Sequence, residues 1–304
     1  MGKRRSRPTR LYDPRLIPSW IAVGLFWLVG QLPWETLQAM GRGFGKLAWR
    51  FAKSRRHIAE TNIHLCFPEL SEEQQLDLAR KTVISTGEAI LEMAGSYTNH
   101  RVDLNKRSIF KGVEYISQAQ KEGKGILLLG MHFNSIDTCA RMLAAKLDLY
   151  AVYRPNDNPV IDRLINQGRQ RYVKGIIDRA DIRQMIRRLR KGEVVWYAPD
   201  QDYGTAHAVF APFFGVPAAT ITATSRLARM GKAAVIPCAH YRLPHGQFVI
   251  EFGPALGNFP GDDDMQDTIR INQTIEHYVR KQPEQYLWVH KRFKHQPPGQ
   301  PKRY

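Results

Sequence analysis

"GILLLGMHFNSIDTCAR", Gly125 to Arg141, is the stretch on which the fold turns. The run "GILLLG" is apolar and short enough to be a buried strand, and the chain after it should turn into a helix. His132 and Asp137 stand five positions apart just beyond that run. One helix cannot present both on a single face, because five residues at about 100° each set the side chains roughly 140° apart. The geometry changes if His132 stays in the loop and Asn134 caps the helix. Asp137 then falls in the first turn, at the third position, where a carboxylate is favoured by the capping box and the helix dipole. From there it faces back toward the imidazole, accepting from one ring nitrogen and leaving the other as a base. Chance also produces this spacing often, and capping alone accounts for an aspartate in a first turn.

Working outward, similar short runs appear at "LYAVY" (149–153), "EVVWY" (193–197), "AVIPC" (234–238) and "FVIEF" (248–252). Helical periodicity fills the gaps between the earlier ones. Its clearest case is "RADIRQMIRRLRK", where Ile182, Met185, Ile186 and Leu189 form one apolar stripe and arginines occupy the opposite face. Upstream, "SEEQQLDLARKTVISTGEAILEMAG" reads as a long helix, with Ser71 as N-cap and Gln74 completing a capping box. Strands alternating with helices predict an α/β sandwich with a mixed, partly parallel sheet flanked by helices.

The 304 residues are 43% hydrophobic, which excludes a disordered chain, and carry a formal net charge of +17. That excess predicts an acidic partner: nucleic acid, anionic lipid or an acidic protein. No helix-turn-helix or aromatic RNA-binding strand pattern is present, so nucleic acid is disfavoured. Cys66, Cys139 and Cys238 are widely spaced and form no CxxC pair, which points to a reducing compartment rather than a disulfide framework or a zinc site. Residues 1–15 are a basic tail with six Lys or Arg, followed by 19 uncharged residues, Leu16 to Trp34. A helix needs about 20 apolar residues to cross a bilayer core, so 16–34 is expected to be a membrane helix. Both flanks are basic, and a shallow or re-entrant helix would let both stay on the cytoplasmic side. With no repeat or linker visible, 35–304 reads as one catalytic domain, and "GRGFGKLAWRFAKSRR" within it can lie on anionic headgroups.

Neither Ser135 nor Cys139 sits in a GxSxG elbow, and Cys139 falls inside the predicted helix. A histidine–carboxylate pair without a nucleophile of its own suits a base that activates the substrate's hydroxyl. In a basic, membrane-associated chain, this pair after a strand resembles the glycerolipid and lipid A acyltransferase superfamily. "VYRPNDNP" (Val152–Pro159), "GEVVWYAPDQDYG" (Gly192–Gly204), "LARM" (Leu227–Met230) and "PEQYLWVHKRFK" (Pro283–Lys294) narrow the resemblance to the bacterial late acyltransferases of lipid A. It runs over nearly the whole chain. It implies a glycerolipid-acyltransferase-like sandwich and transfer of an acyl chain, laurate first, from acyl carrier protein to a hydroxyacyl chain on a lipid A precursor, Kdo2-lipid IVA. It also implies an inner-membrane enzyme facing the cytoplasm that needs neither metal nor cofactor. His132 and Asp137 take the catalytic positions, although the members that transfer laurate carry glutamate where this chain has Asp137.

The family implicates Arg169 and Asp200 as well. Chemically, Arg154 and Arg169 are candidates for phosphate or oxyanion contacts, since a guanidinium makes two-pronged bonds to oxyanions. Asp200 follows a buried-looking strand and would hold an arginine or a sugar hydroxyl. The arginine face at Arg183, Arg187 and Arg190 is a candidate dock for the acidic carrier. Sister enzymes preferring myristate or palmitoleate remain open. An acyl-CoA-dependent glycerolipid acyltransferase is a more distant reading, disfavoured by the "YRPNDNP" and "APDQDYG" blocks.

Overall fold

A computed structural model describes residues 11–304; most of the basic tail lies outside the described residues. Four helices come first: α1 (Ile17–Gly30), α2 (Trp34–Phe51), α3 (Lys53–Cys66) and α4 (Glu72–Thr98). The expected cap of α4 is present: Ser71 Oγ accepts from Gln74 N, and the Gln74 side chain accepts from Ser71 N at 2.9 Å. The chain then runs β1 (Ser108–Lys111), α5 (Val113–Lys121), β2 (Gly125–Gly130), α6 (Ile136–Ala144), β3 (Leu149–Tyr153), α7 (Pro159–Gln170) and β4 (Gly175–Asp178). It continues through α8 (Ile182–Arg190), β5 (Val194–Tyr197), a hairpin of β6 (Ala208–Phe213) and β7 (Val216–Ile221), and α9 (Ala223–Gly231). β8 (Ala233–Arg242), β9 (Phe248–Phe252) and α10 (Asp264–Val279) complete it.

Seven strands form one sheet in the order β1-β9-β8-β2-β5-β3-β4. All its neighbours are parallel except β8 and β9. The sheet is therefore mixed and mostly parallel, as the alternating pattern predicts. β2 is its centre and is buried along its whole length. Alternate residues of β2 feed two cores. Leu127 and Leu129 pack with Met185, Leu189, Leu227 and Ile275 on the face covered by α8, α9 and α10. Ile126 and Leu128 pack with Ile116, Met142 and Leu143 on the face covered by α5 and α6.

The connections explain that division. β2 leads through α6 to β3, and β3 through α7 to β4, both moving toward one edge. β4 returns through α8 to β5, so right-handed crossovers put α8 on the opposite face. β2 and β5 are neighbours whose following chain departs in opposite directions. The crevice between their carboxyl ends is the switch point at which open α/β sheets bind ligands.

The N-terminal segment departs from expectation. No helix among the described residues is long and apolar enough to cross a membrane. α1 has 14 residues, about 21 Å of helix against a hydrocarbon core of about 30 Å. Its end is fastened to the protein. A Cβ on Gly30 would lie 2.6 Å from the Ala94 carbonyl oxygen, and the Gln31 amide donates to Thr98 Oγ1 at 3.2 Å. Pro33 then precedes α2, whose first residue, Trp34, is buried in the core. The uncharged run of 16–34 is thus split by a turn.

α2 lies on α4 with Gly41 and Gly45 inward: a Cβ on Gly45 would come 2.5 Å from Ile84 Cα. A buried ion network locks this layer to the sheet. Arg242 of β8 donates to both carboxylate oxygens of Glu92 at 2.7 Å and approaches Glu88 at 3.2 Å, while Gln38 of α2 donates to Glu92 at 2.8 Å. Sharing one arginine among these groups satisfies charges that would be costly if left alone.

Candidate active site

His132 sits in the loop after β2, as the helix geometry requires. α6 begins at Ile136 with Ser135 as its N-cap, so Asp137 is the second helical residue, one position earlier than capping by Asn134 would put it. Asn134 is engaged elsewhere: its backbone donates to Gln285 O at 2.7 Å and its amide to Ser85 Oγ at 3.2 Å.

The partner of the imidazole also differs from the one the spacing implies. Nδ1 of His132 lies 2.5 Å from Asp200 Oδ1, and the backbone N–H of His132 donates to Asp200 Oδ2 at 2.7 Å. Asp200 was expected to hold an arginine or a sugar hydroxyl; it holds His132 instead. The physical reason is the switch point, which places the residues after β2 and β5 side by side. Among the described residues no hydrogen bond joins Asp137 to His132. Asp137 Oδ1 accepts from Tyr97 at 2.6 Å and from Arg169 Nε at 2.7 Å.

Asp200 is 1% exposed. Burial pushes its carboxyl up, but the charge and hydrogen bonds of His132, with the Tyr286 hydroxyl at 2.8 Å, hold it at about 2. An ionised Asp200 requires Nδ1 to be the donor. Neutral His132 therefore carries its lone pair on Nε2. Asp137 is also held below its usual range: burial opposes ionisation, and Arg169, Tyr97 and His132 overcome it. Arg169 is raised despite burial because Asp137 faces it. The site thus contains two carboxylates, Asp200 buried and Asp137 half-buried, each matched to its own cation or base.

A narrow apolar cavity of about 40 Å³ lies beside Asp137 and Arg169. Asp137, Arg169 and His240 form its polar end, and Ala140, Leu143, Leu149, Val173 and Ile250 carry it between α6 and the sheet. Trp196, another wall, meets the His132 ring edge-on at 6.4 Å between centroids. The indole fits because residue 130 is glycine: a Cβ there would lie 2.3 Å from Trp196 Cε2. Burial lowers His240 to about 4, so it is neutral.

Four of the five expected site residues thus form two neighbouring pairs, His132–Asp200 and Asp137–Arg169, with Asp200 buried and the other three partly so. Arg154 follows β3 at the same edge of the sheet but is exposed and outside those pairs. Tyr97, Tyr286 and His240 were not foreseen. Tyr286 lies in the quoted "PEQYLWVHKRFK" block. That segment walls the loop: Phe133 bridges to Tyr286, and Leu287 N donates to His132 O at 2.9 Å. Neither Ser135 nor Cys139 is an available nucleophile. Ser135 is buried, and burial pushes the Cys139 thiol far up.

A histidine held by a buried carboxylate at the switch point of such a sheet, near an apolar cavity, is an arrangement that an acyltransferase can use. The model of the bacterial lipid A biosynthesis acyltransferase family matches residues 5–295, and the chain belongs to that family. It is 42% identical to the lipid A biosynthesis lauroyltransferase of Escherichia coli K12, over 97% of each chain. Identity is 35% to the palmitoleoyltransferase of the same organism, over 94% of each chain. To its myristoyltransferase it is 28%, over 94% of this chain and 90% of that one.

The folded value of Asp200 is depressed below the ordinary 3.8, so its contribution to stability is complete above that value and lost as pH falls toward about 2. Asp200→Asn lacks this contribution at every pH. The gap in melting temperature between wild type and Asp200→Asn should therefore be widest near neutrality and close between about pH 4 and pH 2. A gap that stays constant across that interval contradicts the assignment.

Proposed function

We propose that this acyltransferase moves a fatty acyl chain, laurate by preference, from acyl-acyl carrier protein to a hydroxyl on a hydroxyacyl chain of the lipid A precursor Kdo2-lipid IVA. The observation that carries this reading is the His132–Asp200 pair, whose imidazole meets Trp196, a wall of the apolar cavity, edge-on. Nε2 of His132 takes the proton of the acceptor hydroxyl while its oxygen attacks the thioester carbonyl. Asp200 fixes the ring and compensates the imidazolium; Asp137 adds a second negative charge close by. Arg169, held by Asp137, stands at the cavity mouth where the tetrahedral oxyanion develops. Collapse breaks the C–S bond, and the imidazolium returns its proton to the departing thiolate. The burial of Ser135 and Cys139 favours this direct route over an acyl-enzyme.

Removing one secondary acyl chain from lipid A is the expected effect of deleting the protein in cells without a redundant enzyme, read by mass spectrometry. Unchanged lipid A refutes the proposal. With the purified enzyme, His132→Ala should lower the rate about 10²–10⁴-fold. Asp200→Asn should cost more than Asp137→Asn if Asp200 orients the ring, and the reverse order returns that role to Asp137.

Laurate is favoured by the ranking of similarities, since identity is highest to the relative named for that chain. The cavity supplies a physical limit. Leu143 lies six residues beyond Asp137 along α6, about 9 Å deeper. Leu143→Ala should shift the preference toward longer chains, at about 0.8 kcal/mol for each methylene newly accommodated. Competition between acyl donors of different length measures this, and an unaltered preference excludes Leu143 as a limit.

Association with the inner membrane, catalytic domain on the cytoplasmic face, is proposed on a different observation. Ile17, Ile21, Leu25 and Leu28 on α1 are exposed, as are Met40, Phe44, Leu47 and Phe51 on α2. Their spacing puts each set on one helix face, and Lys46, Arg50 and Lys53 stand alongside. These helices lie in the interface rather than cross it. Phe44→Glu with Leu47→Glu should abolish flotation with anionic vesicles; full flotation of that variant sinks the idea.

A further inference from the structure

A groove distant from the catalytic cluster is lined by Arg183, Ile186, Arg187, Arg190, Lys191 and Met230. It lies between α8 and α9, which approach closely because residue 231 is glycine: a Cβ there would lie 2.8 Å from Leu189 Cβ. Two features set it apart from an ordinary solvated helix face. Its apolar part is Ile186, half-buried, and Met230, 47% exposed at the surface. Its rim is cationic, and among the described residues neither Arg183 nor Arg187 is paired with a carboxylate. The neighbouring Arg188, by contrast, is neutralised by Glu193 at 3.4 Å. Arg190 is held in place by donating to the Met230 carbonyl at 2.8 Å.

We infer that this groove is the docking surface for the acyl carrier, an acidic helical protein that presents apolar side chains among its carboxylates. The inference rests on the donor named in the proposed function. Arginine and methionine around an apolar centre favour a protein partner over a polyanion, for which exposed apolar side chains offer nothing. The topology also separates the groove from the lipid surface. α1 packs on α4 and α7, and α7 packs against α6, whereas α8 and α9 cover the other face of the sheet. A soluble carrier can therefore approach while α1 and α2 lie on the membrane. α8 starts just after β4, at the edge of the sheet that holds His132 and Asp200, and ends with Leu189 against Gly125 at the opposite end of β2. The thioester arm therefore has to run from the Arg183 end of the groove, past the start of α8, to reach the site.

The test compares two donors of the same acyl chain: the acyl carrier protein, and a small pantetheine thioester that makes no protein contact. Arg183→Glu with Arg187→Glu should raise KM for the carrier at least about tenfold and leave kcat nearly unchanged. Turnover of the small thioester should not change, which also reports that the variant is folded. Titration of the enzyme with unacylated carrier should show the same loss of binding, independently of any reaction. Equal KM and equal carrier binding in variant and wild type overturn the dock. So does a variant that loses vesicle flotation while still binding the carrier, because the groove would then face lipid. Wild-type enzyme that binds the carrier through these arginines yet transfers no acyl group supports the dock and overturns the proposed reaction instead.

Discussion

A carboxylate with almost no access to water has to be surrounded by donors, and Asp200 meets that requirement with parts from two distant regions of the chain. The backbone N–H and the ring of His132 come from the loop after β2, and the Tyr286 hydroxyl comes from the segment after α10. Satisfying one buried charge thereby fixes the tautomer, the ring orientation and the loop backbone at once. The surrounding architecture can be understood as what brings those donors together: adjacent β2 and β5, opposite crossovers, and a C-terminal segment laid back across their ends.

Much of this was legible in the chain. The five apolar runs correspond to β2, β3, β5, β8 and β9, because a strand buried on both faces writes a continuous apolar code. His132 had to be in a loop for simple angular reasons. What escaped were strands with little such signal: β1 and β4, short edge strands of four residues each, and the β6–β7 hairpin. The pairing of His132 escaped for another reason. Asp137 was the obvious partner by proximity in sequence, whereas Asp200 is 68 residues away, and only the strand order makes them neighbours. The 19-residue uncharged run misled in the opposite sense: hydropathy counts residues but does not register that Gly30 and Trp34 are spent on packing against the protein.

The division of labour between the two faces of the sheet gives the large positive charge distinct destinations. Cations beside the exposed stripe of α2 are the ones proposed above to meet anionic headgroups, those on α8 line the groove inferred for the carrier, and Arg169 is committed to the half-buried Asp137. A net charge of +17 is therefore a sum over separate tasks, not a single field.

The loop after β5 repeats its own device two residues on. Asp202 receives the backbone N–H of His295 at 2.8 Å and its Nδ1 at 2.7 Å, the same two-point grip that Asp200 has on His132. Tyr304 donates to Asn62 of α3, so the segment beyond α10 is fastened at both the site and the helical layer. A variant cut before Tyr286 would lack the second side-chain donor to Asp200 and the wall beside His132, so the histidine site depends on a segment that contributes no strand to the sheet.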